Sequence, residues 1–279
     1  MGIIESMADG AGVERLWSHT VGISNRAIVT HGIDPATGLR GKEEEAPGTG
    51  SAGIWGKHHV VLTAKHVLAE AQPQNLSFFV RQVGELKTKR TSDITMQEGV
   101  RAVPLNDQDA RIYRCESEDL AILTIKPDAL GPNLEFFDIA STWVDPPEGD
   151  IVVGMGYPVS IAPRFARQVG TVVEQSVLLT PMAFSGTVLS SASGKYFGGF
   201  NPDRHYLIPY ELGKHGKHPK GISGAAVWAK SDEKQIIWAP RLSFAGVCTS
   251  CYKDGTVEQV VKASVVRQFL TDVLGDPDQ

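Results

Sequence analysis

A serine between two glycines, Gly221-Ile222-Ser223-Gly224, is the first group of residues in this sequence that could do chemistry. The hydroxyl could act as a nucleophile, while the flexible glycines let the backbone N–H groups of Gly221 and Ser223 point at one reacting oxygen. The same residues also fit an ordinary tight turn. A hydrolase elbow of the Gly-x-Ser-x-Gly type is excluded, because Ala225 stands where that elbow needs glycine.

Two further residues could assist a serine nucleophile. His66 follows the apolar run VVLTAK and lies in a short predicted helix over 65–71, which would hold its imidazole at the end of a strand. Asp119 opens the apolar run LAILTI, and a carboxylate at the edge of a core needs a partner such as an imidazole N–H. Taken singly, His66 also fits an ordinary surface or core histidine, and Asp119 an exposed acid before a strand.

Together these side chains supply the parts of one reaction. Hydrolysis of an acyl bond needs a nucleophile, a base that deprotonates it, a group that orients the base and donors for the oxyanion. The hydroxyl of Ser223, the imidazole of His66, the carboxylate of Asp119 and two backbone amides match that set.

Short apolar or alternating runs, separated by Gly, Pro, Asn and Asp, predict the elements that must position these residues. Such runs without alternating long helices favour β-barrels over a doubly wound sheet. The predicted strands cover residues 20–25, 51–56, 58–64, 76–83, 120–125, 150–158, 170–179, 225–230, 235–240 and 244–250.

A C-terminal helix is predicted over residues 256–274, where apolar residues recur near helical spacing. Thr256 and Gln259 resemble a capping box at its start, and Gly275 is placed to end it. The Pro-rich segment 142–150 predicts a link between two strand-rich halves.

The segments LTAKHV, EDLAIL and GISGAAV, in that order, resemble the three catalytic blocks of trypsin/chymotrypsin-like serine proteases, closest to bacterial, intracellular-type peptidases. His66 and Asp119 are 53 residues apart, and Asp119 and Ser223 are 104 apart, which fits that family. GTGSAGIW, VVGMGYP and FAGVCTS resemble further strands of the family. The resemblance covers roughly residues 45 to 274.

This resemblance implies an all-β fold with two antiparallel six-stranded β-barrels and a C-terminal helix. A single peptidase domain would occupy residues 1–279, with the N-terminal barrel over about 15–141 and the C-terminal barrel over about 148–253. The helix over 256–274 would follow the second barrel, and the reacting side chains would meet in the cleft between the barrels.

The resemblance also implies the role of each residue. His66 would be the general base, Asp119 would orient it and Ser223 would attack, with the amides of Gly221 and Ser223 as the oxyanion hole. The implied activity is that of a serine endopeptidase acting on a protein or peptide substrate. The alternative is a catalytically silent module of the same fold that binds or scaffolds a partner.

Substrate recognition is expected on the strand after the nucleophile. The resemblance aligns Thr249, Ser250 and Cys251 with the strand that pairs with substrate backbone, Cys248 with the pocket wall and Lys217 with the pocket base. The basic loop KHGKHPK would suit an acidic substrate side chain. A solvated basic loop is the favoured interpretation.

One departure from the family concerns activation. Ile222 stands where members activated by N-terminal cleavage carry an aspartate, and isoleucine cannot form an ion pair. No activation by insertion of a new N-terminus is therefore expected, and any regulation would come from loops or from a regulatory protein partner. Ala225 and Ala226 replace the usual Gly and Pro, but both are small, so the turn should survive.

Composition sets the remaining expectations. The formal net charge of −5 argues against a nucleic-acid-binding surface. No secretory signal is apparent, and no apolar run reaches the ~18 residues of a membrane span. Three cysteines (Cys115, Cys248 and Cys251) argue against a disulfide framework, so the cytoplasm is the expected location. No metal or cofactor is expected.

Overall fold

The computed structural model describes most of the chain, and the described part is mainly β-structure. It covers residues 16–24, 48–69, 71–81, 100–105, 108–131, 134–158, 164–169, 172–177, 181–210, 219–230, 242–252 and 256–278. The strand predicted over 235–240 lies outside these ranges. Within them, every helix is too short or too polar to cross a membrane.

The first sheet carries the N-terminal half. Its strands are β1 (Thr20–Ser24), β2 (Gly48–Trp55), β3 (His58–Thr63), β4 (Ser77–Arg81), β5 (Val100–Pro104), β6 (Ala110–Arg114), β7 (Ala121–Ile125) and β8 (Phe137–Asp138). The antiparallel order is β5-β4-β1-β2-β3-β7-β6, and β8 pairs in parallel with β2. The described residues thus give this sheet eight strands where six were implied, one of them the two-residue β8.

The second sheet carries the C-terminal half. Its six strands are β9 (Ile151–Gly156), β12 (Met182–Thr187), β13 (His205–Pro209), β14 (Ala226–Lys230), β15 (Leu242–Tyr252) and β16 (Val257–Lys262). They are antiparallel in the order β12-β9-β14-β15-β16-β13. A separate hairpin joins β10 (Arg164–Val169) and β11 (Val172–Val177). The all-β class is confirmed.

Within the described ranges, the helices are short except the last. Helix α1 covers Lys65–Leu68, and helix α2 covers Ala263–Leu274, where it ends before Gly275 as predicted. The 3-10 helices described cover Pro73–Asn75, Pro127–Leu130 and Ser191–Tyr196.

The predicted start of the C-terminal helix at residue 256 is wrong. The first part of that segment forms β16, so the helix begins at Ala263 and Thr256 does not cap it. β16 pairs with β13 on one side and β15 on the other, and almost all of its residues are buried. Because burial on both sheet faces selects apolar residues at neighbouring positions, its valines imitated helical spacing.

Aromatic side chains join the two sheets in one core. The Phe137 ring from β8 lies 4.5 Å from Trp228 of β14 and 5.4 Å from Phe244 of β15, between ring centroids. The C-terminal end also reaches back to the first sheet, because Trp55 Nε1 donates to the Gly275 carbonyl at 2.8 Å. The two halves are therefore fixed against each other.

A buried charge cluster forms a second bridge between the halves. Glu118, which precedes β7, pairs with Arg204 and accepts a 2.6 Å hydrogen bond from Nε2 of the buried His205. His205 Nδ1 accepts the Asn201 backbone N–H at 3.0 Å, so the ring proton lies on Nε2 and the imidazole is neutral. The carboxylate of Glu118 thus ties the first sheet to the start of β13.

Glu118→Gln should destabilise the protein by about 2 kcal/mol, because it leaves the Arg204 guanidinium without a counter-charge while part of that side chain stays exposed. Urea unfolding at neutral pH measures this loss. Glu116→Gln, which changes an exposed acid two residues away, is the control. Equal stability of the two variants would show that the charge cluster does not hold the halves together.

Candidate active site

Two consecutive β-turns shape the segment that carries Ser223. The Ile222 N–H donates to the Pro219 carbonyl at 2.9 Å, and the Ala225 N–H donates to the Ile222 carbonyl at 2.9 Å. The third residue of each turn is a glycine with positive φ, 103° at Gly221 and 93° at Gly224. L-residues with side chains avoid these angles, so both glycines are needed for the turns to form.

The two turns use alternate backbone amides. The N–H groups of Ile222, Gly224 and Ala225 are hydrogen-bonded within the protein. Those of Gly221 and Ser223 donate to no acceptor in the described part of the chain. These are the two amides predicted as oxyanion donors.

Thr49 on β2 holds this double turn against the first sheet. Its backbone N–H donates to the Ser223 carbonyl at 2.9 Å, and its hydroxyl donates to the Gly221 carbonyl at 2.7 Å. The same hydroxyl oxygen accepts the Tyr157 N–H at 2.9 Å, and the Thr49 carbonyl accepts the Thr63 hydroxyl at 2.7 Å. Thr49 is therefore a single buried residue that connects the two halves of the protein. It does so by bonding the carbonyls of Gly221 and Ser223, which flank Ile222.

The fit around Gly224 is equally close. A Cβ atom there would lie 1.9 Å from the Thr49 carbonyl oxygen and 2.3 Å from Thr63 Oγ1, so only glycine can occupy the position. On the far side, the Gly224 N–H donates to the Cys248 carbonyl at 2.7 Å. The turn is clamped between β2 and β15.

The structure brings His66 and Asp119 together. His66 Nδ1 lies 2.6 Å from Asp119 Oδ2, and the His66 backbone N–H donates to Asp119 Oδ1 at 2.9 Å. β3 ends just before His66 and β7 begins just after Asp119, and the register pairs Thr63 with Ala121. The sheet therefore sets this contact, and the hydrogen on Nδ1 leaves Nε2 free to accept a proton.

Ser223 and His66 lie at the same end of β2. The Ser223 carbonyl accepts the Thr49 N–H near the start of β2. Val67, the residue after His66, fills the space beside Gly48 at the same end of the strand. Its Cγ1 would lie 2.3 Å from a Cβ atom added to Gly48. Within the described residues, no hydrogen bond joins the Ser223 hydroxyl to the imidazole. The His66 side chain is 54% exposed and that of Asp119 30% exposed, so the ring is open to a substrate.

The residues predicted to bind substrate lie on β15, beside the double turn that carries Ser223. Cys248 and Thr249 are buried, Ser250 is half-buried and Cys251 is exposed. Cys248 lies directly behind the turn, because its N–H donates to the Ala225 carbonyl at 2.9 Å. Lys217 lies outside the described residues.

Sequence reasoning missed Thr49, Thr63 and Glu258. Glu258 on β16 is 2% exposed, and burial raises the pKa of its carboxyl to about 8 despite an opposing hydrogen bond with Cys251. The sequence signal for Glu258 was an acidic residue within the otherwise uncharged run VEQVV. The described part of the chain contains no group of three or more His, Cys, Asp or Glu side chains that could hold a metal ion.

Comparisons with known proteins identify the fold. No protein-family model and no curated protein matches the sequence. An inactivated protease paralogue of the scabies mite has a TM-score of 0.52 at 14% identity over 93% of this chain and 95% of that one. A serine endoprotease from Yersinia pestis has a TM-score of 0.51 at 15% identity over 96% of this chain and 66% of that one.

Human heparin binding protein has a TM-score of 0.52 at 11% identity and covers 94% of both chains. These structures are serine proteases or relatives of the trypsin/chymotrypsin fold. At such identities the similarity shows the fold alone, which is the chymotrypsin-like fold that the sequence resemblance implied.

Thr49→Val should destabilise the protein by about 2–3 kcal/mol, because it removes a buried donor and a buried acceptor that serve Gly221 and Tyr157. Thr49→Ser keeps the hydroxyl and should therefore retain most of the stability that Thr49→Val loses. Thr20→Val is a matched control, since the buried Thr20 hydroxyl also donates to a backbone carbonyl, that of Leu16. Urea unfolding and hydrogen exchange at the Gly224 amide report the effect. If the free energy of unfolding of Thr49→Val is no lower than that of Thr20→Val, the prediction is wrong.

Glu258 should make stability depend on pH. Because its folded pKa is about 8, against an ordinary value of 4.5, only the folded state holds this proton between those values. The contribution is therefore present below about pH 4.5 and is lost as the pH rises through 8. From pH 5.5 to 8.5, we expect the melting temperature to fall about 5 °C more in wild type than in Glu258→Gln. Parallel curves for the two proteins would contradict the assignment.

Proposed function

We propose that this protein is a serine endopeptidase. Its peptide substrate would lie across the end of β2, where His66, Asp119 and the Ser223 turn come together. The observation that carries the proposal is the double hydrogen bond from His66 to Asp119, which orients the imidazole and leaves Nε2 free as an acceptor. The fold supports the same conclusion, and so do the two amides of the turn, which donate to no acceptor among the described residues.

The reaction begins at the hydroxyl of Ser223. Oγ forms a bond to the substrate carbonyl carbon while its proton moves to His66 Nε2, and the carbonyl oxygen becomes an oxyanion. The N–H groups of Gly221 and Ser223 stabilise that oxyanion, each by roughly 3–4 kcal/mol in the transition state. Asp119 stabilises the imidazolium through Nδ1–H.

Collapse of this intermediate breaks the C–N bond. His66 gives its proton to the leaving amine, and an acyl-enzyme remains on Ser223. A water molecule then attacks the ester carbon with His66 again as the base. Release of the acid returns the proton to Ser223 Oγ, so the protein is unchanged after one turnover.

A catalytically silent binding module is the second candidate. It is favoured by the missing hydrogen bond between the Ser223 hydroxyl and the imidazole in the described residues, and by the scabies mite structure, which is an inactivated paralogue. The peptidase remains the better account, because the hydrogen bond between serine and imidazole often tightens only when substrate binds. A silent module would also have no use for an oriented imidazole.

Labelling with a fluorophosphonate separates the two candidates. We expect wild-type protein to be labelled on Ser223, and Ser223→Ala to remain unlabelled. His66→Ala should react at least about a thousandfold more slowly, because the hydroxyl then has no base. Ser141→Ala, which changes an exposed serine elsewhere, is the control and should be labelled like wild type. Folded wild-type protein that stays unlabelled would establish the silent module.

A further inference from the structure

An exposed thiol and a buried carboxyl meet at one end of the second sheet. Cys251, near the end of β15, pairs with Glu258, near the start of β16, so both side chains lie on the same face of the two strands. Cys251 is exposed, whereas Glu258 is 2% exposed. The Cys251 Sγ–H has two acceptors within reach, the Glu258 carboxyl and the Tyr252 carbonyl oxygen at 3.8 Å. The thiol is therefore open to solvent and also in contact with an acid.

The Glu258 carboxyl is only partly satisfied by the protein. Its Oε1 is buried and has no hydrogen-bond partner in the described part of the chain. A buried polar atom without a partner destabilises the protein, so such an atom calls for an explanation. A hydroxyl attached to the Cys251 sulfur would both donate and accept hydrogen bonds. It would therefore suit the Glu258 carboxyl in its ionised form and in its protonated form.

Glu258 is also suited to exchange a proton with the thiol. Burial raises the pKa of its carboxyl to about 8, despite the opposing hydrogen bond with Cys251. Because an ordinary thiol has a pKa of about 8.5, the ionised carboxylate can take the thiol proton at little cost in free energy. The other described groups around Glu258 that can titrate are Tyr210 and Cys248. Burial, with a contribution from Glu258, raises the pKa of Tyr210 to about 12 and that of Cys248 well above its ordinary value, so both stay protonated near neutral pH.

We propose that Cys251 is a modification site at which hydroperoxides oxidise the thiol to a sulfenic acid, with Glu258 moving the proton. This inference does not depend on the proposed peptidase function. The carboxylate takes the proton of Sγ–H, and the thiolate attacks one oxygen of the peroxide. The S–O bond forms as the O–O bond breaks, so sulfur loses two electrons and the peroxide gains them. Glu258 then gives the proton to the leaving oxygen, and hydrogen peroxide yields the sulfenic acid and water.

The other two cysteines of the sequence differ from Cys251 in exposure. Cys115 and Cys248 are both buried. The Cys115 Sγ lies 3.5 Å from the Ser117 hydroxyl oxygen, whose pKa is far too high for it to take a thiol proton near neutral pH. Oxidation of a thiol requires both access for the peroxide and thiolate character. We therefore expect the modification at Cys251 and not at Cys115 or Cys248.

Dimedone, which traps sulfenic acids, tests the proposal on wild-type protein treated with hydrogen peroxide at pH 7. Mass spectrometry of the digested protein then gives the rate of trapping at each cysteine. We expect Cys251 in the folded protein to react at least about tenfold faster than the same cysteine in urea-unfolded protein, because only the fold holds Glu258 against the thiol. If the folded protein reacts no faster than the unfolded protein at this position, the proposal is wrong.

Glu258→Gln tests the role of the carboxyl in the same assay. It should slow oxidation of Cys251 at least about tenfold, because an amide cannot take the thiol proton, and Glu258→Asp should keep part of the rate. Alkylation by iodoacetamide needs the thiolate but no proton for its leaving iodide, so it should slow less than oxidation does. Glu135→Gln, which changes an exposed carboxyl in the N-terminal half, is the control and should oxidise like wild type. Equal oxidation of Cys251 in wild type and Glu258→Gln would overturn the assigned role of Glu258.

Discussion

The double turn that carries Ser223 depends on one residue of the opposite sheet. The segment from Gly221 to Ala225 forms no regular strand or helix, and its amides at Gly221 and Ser223 make no bonds of their own within the described residues. Its carbonyl groups hold it in shape, because Thr49 donates hydrogen bonds to the carbonyls of Gly221 and Ser223. Because each peptide unit is planar, holding those carbonyls restricts how the neighbouring amides can turn. The hydroxyl of Thr49 thus restricts the orientation of the two amides that we propose as oxyanion donors.

This arrangement gives Ile222 a physical role. Where an aspartate would need a charged partner, Ile222 is buried in the core of the second sheet, and its side chain lies beside Gly156. Burial of the apolar Ile222 side chain holds the turn in place, and the hydrogen bond from the Thr49 hydroxyl fixes its orientation. Neither contact involves a chain terminus. The contacts that order the turn therefore come from the described part of the fold, and the expectation that no new N-terminus is required stays a prediction.

The sequence predicted strands better than it predicted what connects them. β3, β7 and β14 lie close to their predicted ranges because apolar runs bounded by Gly and Asp report burial directly. β16 was mistaken for helix, since local periodicity cannot show that a strand is flanked on both sides. For the site, residue types suggested His66 and Asp119, and β3–β7 register explains their contact. Thr49 could not be found in this way, because its partners are 108 and 172 residues away.

Glu118 and Asp119 show how far local sequence falls short at such a site. They are adjacent acids before the same strand, and the sequence singled out Asp119 only because it directly precedes the apolar run and fits the resemblance of EDLAIL. In the fold, Asp119 meets the imidazole of His66, while Glu118 pairs with Arg204 and His205 of the other half. Glu118 therefore attaches the loop before β7 to the second sheet. The same loop holds the Asp119 carboxylate against His66. A charge pair that looks structural thereby bears on the proposed active site, because the contact between Asp119 and His66 depends on how firmly that loop is held.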